Sequence, residues 1–527
     1  MKNYKYIGLL LLSIGFASCD VDNTLDPIEE AMGPEIALDV KDLNLSKYVA
    51  VGASFTAGYT DGALFKAAQE NSFPNILASK FSMTDGGEFN QPLMEDNTGG
   101  FVAGGNAVQP PRLYFNGVGP TRLNALPTTV LGARAAGTSF NNYGIPGAKS
   151  FHLTFAGYAT LNPYFGRMAS SATAKVIDDA TAQQPTFFTL SEVGGNDVLG
   201  FATSGGYNPE VIDPVSGAVL TPASNAIYQS DSSVHPATYG TNDITNTDVF
   251  ASVFSEMVID LIANDAKGVI ATVPNITLLP YFTTVPYNPV PLDAATATAV
   301  NAAYAQYNGG IQQAFGALVA GGVITQAAAD AEVAKRTISF SAGQNAVVIV
   351  DEDLTDLGAI NPAFAALPQL RQTTAEDLLV LPSSAFIGTL ADPSNPASVN
   401  GVGVPLADKW VLTATELAAV ITATEAYNTT IKAIANSNNN IALVDLNAIL
   451  IEASGGIRFD NYTMTTSLVT GGLVSLDGIH LTGRGYALMA NKILEAMDAK
   501  FGSNFTTATN GLAKADDYPT NFSPTLR

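Results

Sequence analysis

Ser54 follows a short apolar run, Tyr48-Val49-Ala50-Val51, within Gly52-Ala53-Ser54. A serine hydroxyl is a weak nucleophile at neutral pH and needs a neighbouring base, most often a histidine. The chain contains three histidines, His152, His235 and His480. His235 sits in Ser233-Val234-His235-Pro236, inside a polar stretch, and reads as a solvated loop residue. His152 follows Gly147-Ala148-Lys149-Ser150 and could line a pocket, with no carboxylate near it in sequence. His480 has Asp477 three residues before it, in Asp477-Gly478-Ile479-His480. A turn can bring that carboxylate to the imidazole, fix its tautomer and stabilise the imidazolium. Taken alone, an Asp-x-x-His is better read as a helix-cap aspartate beside an unrelated histidine. A further polar cluster, Gly194-Gly195-Asn196-Asp197, also follows an apolar run.

These residues need a scaffold that gathers them. Four apolar runs read as strands buried on both faces: Tyr48–Val51, Phe187–Leu190, Val269–Val273 and Ile441–Val444. Helical patterns separate them. Phe250, Phe254, Met257 and Leu261 share one face. Thr413 with Glu416 forms a capping-box signature, followed by Leu417, Ile421, Ile431 and Ile434. Tyr486, Met489, Ile493, Leu494 and Met497 mark a last helix. Strands alternating with helices predict an α/β domain with a parallel sheet. Such sheets place ligands beyond the carboxyl ends of their strands, where Ser54 and Asn196 fall. Asp477 and His480 stand in the turn before the last helix. Two stretches interrupt the rhythm and read as insertions over one core: a polar loop at about 203–247, and about 283–412, with a helix around Ala294–Val319 and an apolar run at Ala346–Val350.

The chain has 527 residues, 47% hydrophobic and 13% charged, with a net charge of −23. That balance repels phosphate backbones and argues against nucleic-acid binding. At the N-terminus, Lys2 and Lys5 precede an apolar run, Ile7 to Phe16, and then Ala17-Ser18-Cys19. This is the pattern of a secretory signal, too short for a spanning helix. Cys19 is the single cysteine, so no internal disulfide can form. The junction resembles a bacterial lipobox, with Phe16 in place of the usual Leu. The resemblance implies cleavage after residue 18 and acylation of Cys19. It further implies an exported protein held to the cell envelope, with the outer membrane expected. Residues 19–45, with Asp20, Asp22, Asp26, Glu29 and Glu30, read as an acidic flexible tether. The folded domain is expected over 46–505 and a tail over 506–527.

Four blocks in order resemble the SGNH/GDSL hydrolase superfamily: Gly52-Ala53-Ser54-Phe55, Asn142-Tyr143-Gly144-Ile145-Pro146-Gly147, Gly194-Gly195-Asn196-Asp197, and Asp477 with His480. The resemblance covers most of residues 46–500, the insertions excepted. It implies a flavodoxin-like three-layer α/β/α sandwich and a Ser54–His480–Asp477 triad. It also implies an oxyanion hole from the backbone N–H groups of Ser54 and Gly147 and the Asn196 amide. No metal or other cofactor is required by that chemistry. Ala53 replaces the aspartate of the family's name, which leaves the triad intact but alters the hydrogen bonding expected around Ser54.

The implied activity is hydrolysis of carboxylic esters. Acetylated glycans, lipids, short acyl esters and thioesters all fall within the resemblance. The competing reading is a lipid-anchored glycan-binding protein on the same fold with weak or lost catalysis. Ala53 is its only support, and the five site residues stand together against it.

Overall fold

A computed structural model describes residues 35–212 and 218–527. The chain divides into Met1–Ala37 and a body, Leu38–Arg527. Cys19 and the N-terminal run expected to be a signal lie outside the described residues. No described helix is long and apolar enough to cross a membrane.

The body is built on one parallel sheet. Its strands are β1 (Tyr48–Gly52), β2 (Asn142–Gly144), β3 (Phe187–Ser191), β4 (Lys267–Ala271) and β5 (Ile441–Val444). They lie in the order β2-β1-β3-β4-β5, every neighbour parallel. Every residue of β1 and β3 is buried, the exposure pattern of strands covered on both faces. The chain therefore adds β2 on one side of β1 and then reverses to add β3, β4 and β5 on the other. Such a reversal leaves a crevice beyond the strand ends, between crossovers that leave in opposite directions.

Ten helices are used below: α1 (Ser54–Ala57), α2 (Phe73–Phe81), α3 (Val176–Thr181), α4 (Gly195–Thr203), α5 (Thr247–Ile262), α6 (Ala294–Ala320), α7 (Gln326–Arg336), α8 (Ala414–Ser437), α9 (Leu446–Gly455) and α10 (Gly483–Phe501). Helices α2 and α10 pack together, α3, α5 and α8 pack in a row, and both α8 and α10 contact the sheet. The expected inward faces hold. Phe250, Phe254, Met257 and Leu261 of α5 are buried, as are Tyr486, Met489, Ile493, Leu494 and Met497 of α10. Thr413 caps α8 as its pattern predicts: the Thr413 N–H donates to Glu416 Oε2 at 2.7 Å.

Strand β2 is the element the apolar pattern did not mark. It is three residues long and starts with a polar Asn142, so no run betrays it. Gly52 explains how β1 and its neighbours approach so closely. A Cβ there would stand 2.2 Å from Thr56 Oγ1 and 2.5 Å from the Ser191 carbonyl.

The body reaches past 46–505 at both ends. Leu43 and Leu45 are buried in the main core, and so are Phe505, Ala513 and Ala515. Phe522 packs edge-on to Phe65 at 4.9 Å. Buried Arg112 donates to the carbonyls of Phe522, Ser523 and Leu526. Residues 506–527 are therefore held by named contacts. The first insertion is not all loop: it carries two short hairpins, Tyr207–Asn208 with Ser224–Asn225 and Val211–Ile212 with Val219–Thr221. The second holds α6, which matches the expected helix, and also α7 and three small two-stranded sheets, with apolar clusters of its own.

Candidate active site

Ser54 opens α1 one residue beyond the Ala53 junction with β1 and is 7% exposed. Gly147 follows β2, and Asn196 stands on the first turn of α4 after β3. The three thus sit at the ends of three adjacent strands, across the reversal of strand order. His480 arrives from the loop before α10. Ser54, Gly147, Asn196 and His480 all line one cavity of about 370 Å³, together with Tyr59, Gln109, Arg122 and Tyr164.

Asp477 supports His480 from behind. Its Oδ2 lies 2.9 Å from His480 Nδ1 and also accepts the Gly62 N–H at 2.8 Å. Its Oδ1 accepts the N–H groups of Ile479 and His480, each at 2.9 Å. Burial alone would raise this carboxyl; the His480 charge and the bonds from His480 and Ile479 outweigh it. The net effect holds Asp477 well below the usual carboxylate range, so it is ionised at any ordinary pH. The Tyr59 ring lies 4.5 Å from the imidazole and the Phe55 ring 5.8 Å, edge-on. With Nδ1 turned to Asp477, Nε2 is the nitrogen left for the cavity. No hydrogen bond joins Ser54 Oγ to His480 among the described residues, and in ligand-free sites such bonds are commonly long.

Three N–H donors on this wall have no acceptor among the described residues: the backbone groups of Ser54 and Gly147, and one of the two Asn196 amide protons. Gly147 adopts a φ of +79°, a conformation that favours glycine, and a Cβ there would meet nothing within 4 Å. It is the backbone turn, not crowding, that calls for glycine, and the turn leaves the peptide open to the cavity.

The loop carrying Gly147 is tied to α4 at two successive residues. Asn196 Nδ2 donates to the Ala148 carbonyl at 2.9 Å. Asp197, 1% exposed, accepts the Ser150 N–H at 2.8 Å and its hydroxyl at 2.7 Å. Lys149 between them donates to the Asp243 carbonyl of the first insertion.

Glu192 answers the question posed by Ala53. It is 5% exposed, with a φ of +46° that turns its carboxylate back toward β1. Its Oε1 accepts the N–H groups of Ala53 at 2.6 Å and Thr56 at 2.9 Å, and its Oε2 accepts the Thr56 hydroxyl at 3.0 Å. The turn around Ser54 is thus held by a side chain from the neighbouring strand end. Burial pushes Glu192 up to about 7. Sequence reading passed over it; the available signal was an acidic residue at the end of an all-buried strand.

The other histidines stand apart. His152 stacks on Tyr158 at 4.4 Å and accepts the Lys149 N–H. Burial and Lys149 push it down to about 4, which keeps it neutral. His235 is exposed and caps a short helical turn through the Ala237 N–H. Among the described residues one carboxylate group is close enough to hold a metal ion, Glu352 with Asp408 and Glu416, whose oxygens lie within 4.8 Å. None of the three lines the Ser54 cavity.

The arrangement can hold a carbonyl carbon at Ser54 Oγ and its oxygen among three N–H donors, with an oriented imidazole to move one proton. No protein-family model, curated protein or solved structure matches the chain.

Proposed function

We propose that the protein is a serine hydrolase of carboxylic esters, of the SGNH/GDSL type, with Ser54 as nucleophile. One observation carries the reading: a serine, a carboxylate-held histidine and three unpaired N–H donors border one cavity. The flavodoxin-like strand order and the four sequence blocks agree with it.

His480 takes the Ser54 proton as Oγ attacks the carbonyl carbon. The resulting oxyanion lies against Ser54 N, Gly147 N and Asn196 Nδ2, donors already in place before charge develops. The tetrahedral centre collapses, the C–O bond to the alcohol breaks, and His480 returns the proton to the leaving alkoxide. Water then attacks the acyl-Ser54 ester, again deprotonated by His480, and releases the acid and free Ser54. Asp477 keeps its charge throughout and stabilises the imidazolium.

The lipobox-like Cys19 supports an exported, lipid-anchored protein in the cell envelope, with the outer membrane as the proposed site. The direct test is turnover of a chromogenic short acyl ester by the wild type and by Ser54→Ala. Equal rates would end the proposal, and so would phosphonate labelling at any serine other than Ser54.

A further inference from the structure

A second cavity meets the first at Ser54 and Asn196. It is smaller, about 80 Å³, and its walls are mostly apolar, with Phe55 and Glu192 beside the aliphatic side chains. Pro274 and Ile276, after β4, and Leu446, Ile449 and Leu450, on α9 after β5, form one side of it; Leu488 and Met489 of α10 form another. The polar cavity thus lies over β2, β1 and β3, and the apolar one over β3, β4 and β5. Such a seam at a reactive serine divides a substrate into a polar and an apolar half.

The position of His480 decides which half is which. It lines the polar cavity and not the apolar one. The group protonated by His480 is the leaving alcohol, so the alcohol must depart on the polar side. The acyl chain, bonded to the same carbonyl carbon, then runs the other way. We infer, on the ester-hydrolase reading above, that the apolar cavity is an acyl pocket and that the substrates are esters of unbranched aliphatic acids with a polar alcohol. That volume is well above the roughly 10–15 Å³ needed to admit a single water-sized group, so the pocket has room for a chain of several carbons. An acetyl group would leave it almost unused. A sugar ring would set hydroxyls against aliphatic walls with no partner for them.

The test is a series of chromogenic esters sharing one alcohol, from acetyl to dodecanoyl, below their micellar concentrations. Each buried methylene is worth roughly fourfold in kcat/KM, so hexanoyl should exceed acetyl on the order of a hundredfold, with the gain levelling off before dodecanoyl as the chain outgrows the pocket. Leu450→Phe, which fills the pocket, should bring the hexanoyl-to-acetyl ratio down at least tenfold. Ile449→Phe serves if the first variant does not fold. A flat series that still depends on Ser54 overturns the acyl pocket and leaves ester hydrolysis standing. Hexyl acetate cleaved as well as ethyl hexanoate also overturns it, by placing the chain on the alcohol side. No Ser54-dependent turnover of any ester removes the pocket together with the hydrolase reading.

Discussion

Asn196 Nδ2 donates to the Ala148 carbonyl at 2.9 Å, so the amide that would bind an oxyanion is fastened to the loop presenting the Gly147 N–H. One amide proton is spent on this bond and one remains. The two donors therefore keep a fixed spacing, whatever the loop does elsewhere. Asn196→Ala should remove one donor and loosen the other. A fall of about 10²–10³ in kcat is expected, the size seen when one oxyanion donor is lost. Single-turnover acylation rates measure it directly.

Asp197 makes the same attachment one residue on, through Ser150, but has no place in the cavity wall. Asp197→Ala would leave a buried N–H and a buried hydroxyl without their acceptor, at roughly 1–3 kcal/mol each. Both melting temperature and kcat should fall. Asn196→Ala should lower kcat with a much smaller change in melting temperature. A calorimetric comparison of the two variants separates positioning from direct contact.

Asp477→Asn should leave the fold intact and reduce kcat on the order of 10⁴-fold, because an amide can hold the imidazole in the wrong tautomer. His235→Ala, in an exposed loop, should have no effect on turnover. The pair, assayed on one short ester, tests whether His480 alone serves as base.

Glu192→Ala would strip acceptors from the Ala53 and Thr56 N–H groups, and Glu192→Gln would keep one acceptor oxygen. The alanine variant should lose on the order of 1–3 kcal/mol for each buried donor. The glutamine variant should keep most of the stability and a larger share of activity. Denaturant melts alongside kcat, with the order wild type, Gln, Ala in both, are the expected result.

The acidic group formed by Glu352 and Asp408 of the second insertion with Glu416 of α8 should make stability depend on pH. Burial and mutual repulsion push Asp408 up to about 8 and Glu416 up to about 7, and raise Glu352. In the unfolded chain such groups titrate near 4. At these three groups the folded state binds more protons, so their contribution to stability is greatest at low pH and is lost as pH rises through the folded values. Melting temperature should fall between about pH 5 and 9, and Asp408→Asn should flatten that slope.

The five site residues were legible in the sequence because each abuts something with a period or a signature. Ser54 and Asn196 end buried apolar runs, Gly147 closes a glycine block, and Asp477 and His480 precede an amphipathic helix. What escaped has no such neighbour. Tyr59, Gln109, Arg122 and Tyr164 reach the cavity from turns, short two-stranded ribbons and a four-residue helix, where no repeating pattern marks which side chain faces in. Glu192 left only one sign, an acidic residue closing a buried apolar run, because its part depends on a left-handed backbone turn that no pattern marks. The division into polar and apolar cavities escaped because its walls come from the segments that follow all five strands, scattered through the chain. The helix Ala294–Ala320 was legible even within an insertion, since a long uninterrupted run of helix-forming residues needs no partner to be recognised.

The bond from Gly62 to Asp477 joins residues 415 positions apart. Ser54 leaves the ribosome early, but the carboxylate and imidazole that would activate it belong to the last strand-to-helix connection. A chain made from its N-terminus would carry an unassisted serine until nearly all of it has emerged and the sheet is complete. On the proposed hydrolase chemistry, activity would thereby be timed to the end of folding: an unfinished or misfolded chain would be chemically quiet, and turnover would report that the whole body is assembled.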